Sequence, residues 1–204
     1  MVRKARLFTR HVVVVDGYSK DDTAEMALKT GADVIFQEGR GKGMALRTAF
    51  SQIESDVYVI IDGDATYDAR EMEVLVQPIL DGEADMVVGS RLRGWMGDGA
   101  ITGLNKVGNN VFNWLINLFY RGAITDSQSG FRALNRKAVE SISLSSDGFE
   151  VETELTIKAL KQGLREVPIT YRKRRGSPLK LNSFRAGSNI LKTARATQTR
   201  SKNT

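Results

Sequence analysis

The sequence predicts an α/β protein with a mostly parallel sheet flanked by helices on both faces. Three observations carry that expectation. Short apolar, β-branched runs recur at "HVVVV", "DVIFQ", "DVYVII", "ADMVVGS" and "LREVPITY". Helix-compatible stretches separate most of these runs, which argues for parallel strands joined by helices. Acids and glycines follow the runs, as in Asp16-Gly17 and Asp62-Gly63-Asp64, at the sheet edge where open α/β folds bind ligands.

The elements follow in order. "HVVVV" is a strand turning at Asp16-Gly17 into a helix with Ala24, Ala27 and Leu28 on one side. Ser19, Asp21 or Asp22 is available to cap that helix. After the "DVIFQEG" strand, "GRGKGMALRTAFSQI" is a glycine-rich turn feeding a helix. Val57, Val59, Ile60 and Ile61 form a strand of a covered sheet, a helix spans roughly 70–81, and "ADMVVGSRLRG" is the next strand. From Val107 to Tyr120 no residue is charged. Val107, Val111, Trp114, Leu115, Leu118 and Phe119 share one helical face, with Asn109, Asn113 and Asn117 opposite. That pattern predicts a helix with its apolar face buried, or one lying at a membrane surface. "GFEVETELTIKALKQG" is a further helix and "LREVPITY" the last strand. Residues 1–190 are expected to form one domain and 191–204 a basic tail.

Composition removes several classes of chemistry. The 204 residues include no cysteine and one histidine, His11. Disulfides, thiolate metal sites and histidine clusters are excluded, and a Ser-His-Asp triad would need His11, whose place beside a strand predicts a structural role. The net charge of +6 is uneven: residues 165–204 hold eleven Lys and Arg against Glu166 alone. Such a segment suits nucleic acid, anionic lipid or a phosphorylated substrate. Its only aromatics, Tyr171 and Phe184, argue against base stacking, so no nucleic-acid partner is expected. No stretch reaches the roughly 18 apolar residues of a membrane span.

Two motifs carry chemistry. Asp62 and Asp64, one residue apart after an apolar strand, form a D-x-D pair whose hard oxygens suit Mg²⁺ or Mn²⁺ on a diphosphate. The competing reading is a solvated turn in which Asp62 caps the next helix. "GRGKG" before a helix can cradle an anion, with Lys42 adding charge, although it lacks P-loop spacing.

In order, "VVVVDGYSKDDT", "GRGKGMALRTAF", "VIIDGDATYD", "MVVGSRLRG", "DSQSGFRAL" and "GFEVETELTIKALKQG" resemble successive motifs of the family 2 glycosyltransferases of the polyprenol-phosphate sugar type. "DGDATY" and "GLNKVGNNVFNW" are most similar to archaeal dolichyl-phosphate hexose and N-acetylhexosamine transferases, and the likeness covers roughly 12–190. The resemblance implies a glycosyltransferase-A fold, metal-dependent inverting transfer from a UDP- or GDP-sugar, and dolichyl or polyprenyl phosphate as acceptor. It also implies a peripheral position on the cytoplasmic membrane face. On it, Asp16 contacts the base or ribose, Lys42 lies near the donor, and Asp62 and Asp64 serve donor and metal. Arg91 and Lys106 face the acceptor phosphate, while Arg132, Arg175 and Lys180 steady phosphate groups. Glu152 and Glu154 receive no role.

Three departures stand out. The first turn reads Asp16-Gly17-Tyr18-Ser19, with Asp22 where glycine is usual and a positive φ is expected. Thr66 replaces a glutamine metal ligand of related mannosyltransferases. "MVRKARLFTR" stands where relatives have a strand, a Pro-x-x-Asn-Glu-like segment and a helix, so a central strand is expected to be absent. Alternatives are a sugar nucleotidyltransferase, marked by pyrophosphate release, and a non-catalytic remnant that binds membrane or nucleic acid.

Overall fold

The computed structural model describes residues 1–101 and 103–174. Arg175, Lys180 and the 191–204 tail lie outside the described residues. The chain runs α1 (Val2–Ala5), β1 (Val13–Asp16), α2 (Thr23–Lys29), β2 (Asp33–Phe36), α3 (Lys42–Gln52) and β3 (Val57–Ile60). After a 3₁₀ turn (Ala69–Glu71) come α4 (Met72–Leu80), β4 (Met86–Ser90), α5 (Gly103–Tyr120), β5 (Arg132–Asn135), α6 (Arg136–Ser141), α7 (Val151–Ala159) and β6 (Leu164–Pro168).

The α/β class stands, but the sheet is mixed and falls into two parts. β1 and β2 pair in parallel, with Asp16 opposite Phe36. The other four strands are ordered β3-β5-β4-β6. β4 and β6 are parallel, whereas β5 lies antiparallel between β3 and β4, with Ala133 opposite both Val59 and Val87. β5 has only four residues and begins with an arginine, so no apolar run announces it. Among the described residues, β1 pairs only with β2 and β3 only with β5.

Every residue of β4 is buried, because both faces of this sheet are covered. Alternation sends Val87 to a core with Leu75, Ile79, Phe131 and Tyr67, and sends Met86 and Val88 to a second core with Leu46, Leu134, Val139 and Leu155. The strand's carboxyl end is thereby held rigidly between α4 and α7.

Several local expectations change. His11 lies beside the amino end of β1 and is exposed, so the structural role expected of it has no burial behind it. On α2 only Ala27 is buried, and Leu28 is exposed. Asp22 occupies the N-cap position with φ −76°, while Asp21 accepts from Thr23 N at 3.1 Å. The left-handed residue of this turn is Tyr18, at φ 60°.

The main reversal is α5. Asn109, Asn113 and Ile116 face the domain, whereas Val107, Val111, Trp114, Leu118 and Phe119 face outward. The buried-face expectation fails because the loop beneath needs hydrogen-bond partners more than apolar cover. Asn117 Nδ2 donates to Ile124 O at 2.8 Å and its Oδ1 accepts from Ile124 N at 2.8 Å. Asn113 donates to Thr125 O and accepts from Ser127 N at 3.0 Å.

Candidate active site

The site is built on the turn after β3. Asp64 Oδ1 accepts from Thr66 N at 3.1 Å and from Thr66 Oγ1 at 2.7 Å. Thr66 therefore orients the acid. Ala65 is left-handed at φ 62°, an unfavourable setting for a residue with a Cβ, and the bend keeps both acids at the sheet edge. Asp62 does not cap a helix; Asp68 does that, accepting from Arg70 N at 3.3 Å.

Lys42, the first residue of α3, reaches Asp62 Oδ1 at 2.5 Å. It also pairs with Glu152 Oε1 of α7, whose Oε2 accepts from Arg132 Nε at 2.8 Å. Burial opposes the Lys42 ammonium, but Glu152 and Asp62 outweigh it and its pKa is raised. Burial lifts the Asp62 carboxyl above the ordinary aspartate value, with Lys42 opposing.

Glycines permit this contact. A Cβ on Gly130 would collide with Asp62 Oδ2 and lie 2.8 Å from Lys42 Nζ, so only glycine lets this backbone approach. Tyr67 Oη fixes it by accepting from Gly130 N at 2.8 Å. The "GRGKG" turn serves packing: Gly43 N donates to Asp147 O at 2.7 Å, and a Cβ at Gly41 or Gly43 would strike the 146–147 backbone. That amide faces its own chain, and the charge this turn brings to Asp62 is that of Lys42.

Arg91 and Arg132, read as phosphate contacts, are both enclosed. Arg132 is fully buried, donating to Ser129 O at 2.8 Å, Ser127 O at 2.8 Å and Thr156 Oγ1 at 2.9 Å besides Glu152. This geometry gives it a supporting position behind Lys42. Arg91 is held by the fully buried Asp126, which accepts from its N, Nε and Nη2 at 2.9, 2.8 and 2.7 Å. Its guanidinium carbon also sits 5.2 Å from the Tyr171 ring centroid. Asp126 is positioned by Glu166, which accepts from Asp126 N at 2.9 Å, and by the asparagines of α5. Lys106 is exposed on α5. Asp16 is buried and turned onto its own loop, accepting from Ser19 N at 3.1 Å and Ser19 Oγ at 2.6 Å.

Sequence reasoning missed Glu152, Asp126 and Arg174, whose Nε approaches Asp64 Oδ2 at 3.7 Å. The run of basic residues at 172–175 was the available signal for Arg174. Among the described residues no three acids or histidines group as a metal site. Asp62 and Asp64 nevertheless fit a hard cation whose other ligands come from water and diphosphate oxygens, since both carboxylates are partly exposed at the site surface. A separate cavity of about 530 Å³, lined by Phe50, Tyr58, Val139 and Leu144, lies at the opposite end of β3.

The mixed sheet, its two covering layers and the acids at the β3 edge define a glycosyltransferase-A fold. Two structures of glucosyl-3-phosphoglycerate synthase from Mycobacterium tuberculosis share it. One gives a TM-score of 0.76 at 23% identity, covering 96% of this chain and 73% of that one. The other, in complex with Mn²⁺ and UDP-glucose, gives 0.72 at 23% identity, covering 90% and 66%.

The chain belongs to glycosyl transferase family 2, whose sequence model matches residues 2–143. It is 38% identical over 184 residues to glycosyltransferase AglJ of Haloferax volcanii, covering 88% of this chain and 60% of that protein. It is 35% identical over 181 residues to the dolichyl-phosphate hexose transferase of the same organism, covering 88% and 77%. The chain thus spans 60% of AglJ and 43% of the hexosyltransferase Agl6. No helix among the described residues is long and apolar enough to cross a membrane.

Proposed function

We propose that this chain transfers a sugar, with inversion, from a UDP- or GDP-sugar to dolichyl or another polyprenyl phosphate at the cytoplasmic membrane face. The observation that carries the reading is the Asp62–Asp64 pair at the β3 edge, with Lys42 and Arg174 beside it, in a family 2 chain. The 35% identity to a dolichyl-phosphate hexose transferase supports the acceptor class.

The reaction joins an acceptor phosphate oxygen to the anomeric carbon as the nucleoside diphosphate leaves. A phosphate monoester is already ionised near neutral pH, its second pKa being about 6. It needs no strong base, consistent with a chain whose one histidine is exposed at the far end of β1. Asp62 and Asp64 would hold a divalent cation, Mg²⁺ or Mn²⁺, which would supply charge to stabilise the departing diphosphate. Asp16 borders the base and ribose, and Lys42 supports the donor end. Arg174, followed by Arg175 and Lys180, offers cations to phosphate oxygens. Arg132 acts through Glu152 and Lys42. Arg91, fixed on Asp126, shapes the acceptor side, and Lys106 presents its ammonium to the incoming phosphate.

The outward face of α5 supports the membrane half of the reading. Trp114 is 61% and Leu118 58% exposed on an 18-residue helix that turns Asn109, Asn113 and Asn117 inward. Apolar burial in the interface and a basic segment are the two signals that peripheral attachment needs. Each basic residue near an anionic surface adds about 1 kcal/mol, screened by salt.

The test is transfer of radiolabelled sugar to dolichyl phosphate from a panel of UDP- and GDP-sugars with Mn²⁺ or Mg²⁺. One donor is expected to give a chelator-sensitive, lipid-extractable product. Asp64→Asn should lower its formation at least ~100-fold with the fold retained. Transfer from none of the donors, or an Asp64→Asn protein of native activity and metal dependence, overturns the reading.

A further inference from the structure

Glu152 lies in the first turn of α7, 3% exposed, and touches neither donor nor acceptor in the chemistry above. Its two oxygens serve two cations. Oε1 meets Lys42 Nζ, and Oε2 accepts from Arg132 Nε at 2.8 Å. Lys42 also reaches Asp62 at 2.5 Å, so one ammonium is shared between two carboxylates of unequal depth. The Asp62 side chain is 35% exposed at the site surface, and the Glu152 side chain, behind it, is 4% exposed. Lys42 is the partner of Glu152 Oε1, which accepts no other hydrogen bond among the described residues. Without that ammonium a buried carboxylate oxygen would have no partner, which holds Lys42 at Glu152.

The charges of Lys42 and Arg132 balance those of Asp62 and Glu152. A divalent cation arriving on Asp62 upsets this balance, since it meets the Lys42 ammonium on the same carboxylate. With the deeper carboxylate already in contact, Lys42 can give up Asp62 and keep a partner. Without one, it stays on Asp62 and opposes the cation.

We infer that Glu152 is a positioning residue for the donor-metal site: it takes Lys42 from Asp62 so that Asp62 becomes a cation ligand. The inference rests on the reading of Asp62 and Asp64 as that cation's ligands. It separates Glu152 from a residue that merely ties α7 to β5, because a structural tie has no reason to distinguish metal from nucleotide.

The experiment measures binding of Mn²⁺ alone, UDP alone and both together by calorimetry and Mn²⁺ paramagnetic resonance, with thermal melting to verify folding. Glu152→Gln should weaken Mn²⁺ binding about tenfold while UDP alone binds as well as before or better, because one net positive charge has been added. Lys42→Gln combined with Glu152→Gln restores the local charge and should return Mn²⁺ affinity to within about threefold of native. Lys42→Gln alone leaves the Arg132–Glu152 pair intact and should tighten Mn²⁺ binding while weakening UDP. That variant carries the test if Glu152→Gln does not fold. Equal losses for Mn²⁺ and UDP in Glu152→Gln, no recovery in the double variant, or no tightening in Lys42→Gln overturns the inference. Native protein that binds no Mn²⁺ removes the cation site itself, and this inference with it. Native binding left unchanged by Glu152→Gln removes only the role of Glu152.

Discussion

Replacing Gly130 with alanine inserts one methyl group between backbone and the Asp62–Lys42 pair. The added Cβ would stand 2.8 Å from both Asp62 Cγ and Lys42 Nζ. Carbon contacts relax near 3.5 Å, so the pair must retreat by at least about 0.7 Å, and Asp62 Oδ2, which is closer still, by more. Gly130 itself has little freedom to yield, since Tyr67 Oη holds its N–H and its neighbour Phe131 is fully buried. Asp62 is the softer partner, with its side chain 35% exposed, so the displacement falls on the site. Overpacking of this kind costs about 1–3 kcal/mol, which leaves the domain folded at 25 °C. A misplacement of about 1 Å at a reacting centre costs roughly 100-fold, so transfer should fall about 30- to 100-fold. Steady-state sugar transfer and melting curves on the same preparation check both numbers. A Gly130→Ala protein with near-native kcat and native Tm refutes the reasoning, as does a loss of transfer that merely follows the unfolded fraction.

Other expectations rest on separate parts of the molecule. Asp126→Asn leaves the Arg91 guanidinium buried without its counter-charge, at a cost of about 3–5 kcal/mol. For a chain of this size Tm should drop by roughly 10 °C in calorimetry. Trp114→Ser with Leu118→Ser removes exposed groups, so stability should stay within about 0.5 kcal/mol of native. The same protein should lose co-sedimentation with anionic liposomes, and native binding should weaken in high salt. Burial works to raise the Glu154 pKa, but Lys158 and the Ser145 and Ser146 groups outweigh it and hold it at about 2. Its folded value lies below the unfolded 4.5, so the stabilisation is full above that pH and is lost as pH falls toward about 2. The loss is worth about 3 kcal/mol, and Glu154→Gln should flatten Tm against pH in that window.

The sequence by itself determined the alternation of strands and helices, the D-x-D turn and the lysine of the glycine-rich turn. These are local properties: β-branched runs favour extended backbone, and the acids follow directly from the strand that presents them. It also separated the two faces of α5, but not which face is covered. That depended on the amides and carbonyls of residues 124–127, which take the asparagines as partners and leave the apolar face outward. Arg91 and Arg132 show the same limit. Each was read as a phosphate contact within a motif, and each is closed by an acid distant in sequence: Asp126, 35 residues on, and Glu152, 20 residues on. Lys42 meets Glu152 only because α3 and α7 pack on the same side of β4. No local pattern records such a pairing, since chain closure decides which carboxylate reaches which ammonium. Periodicity and steric preference write the elements into the sequence, whereas burial, and the demand that every buried charge and backbone group find a partner, settled their neighbours only in three dimensions.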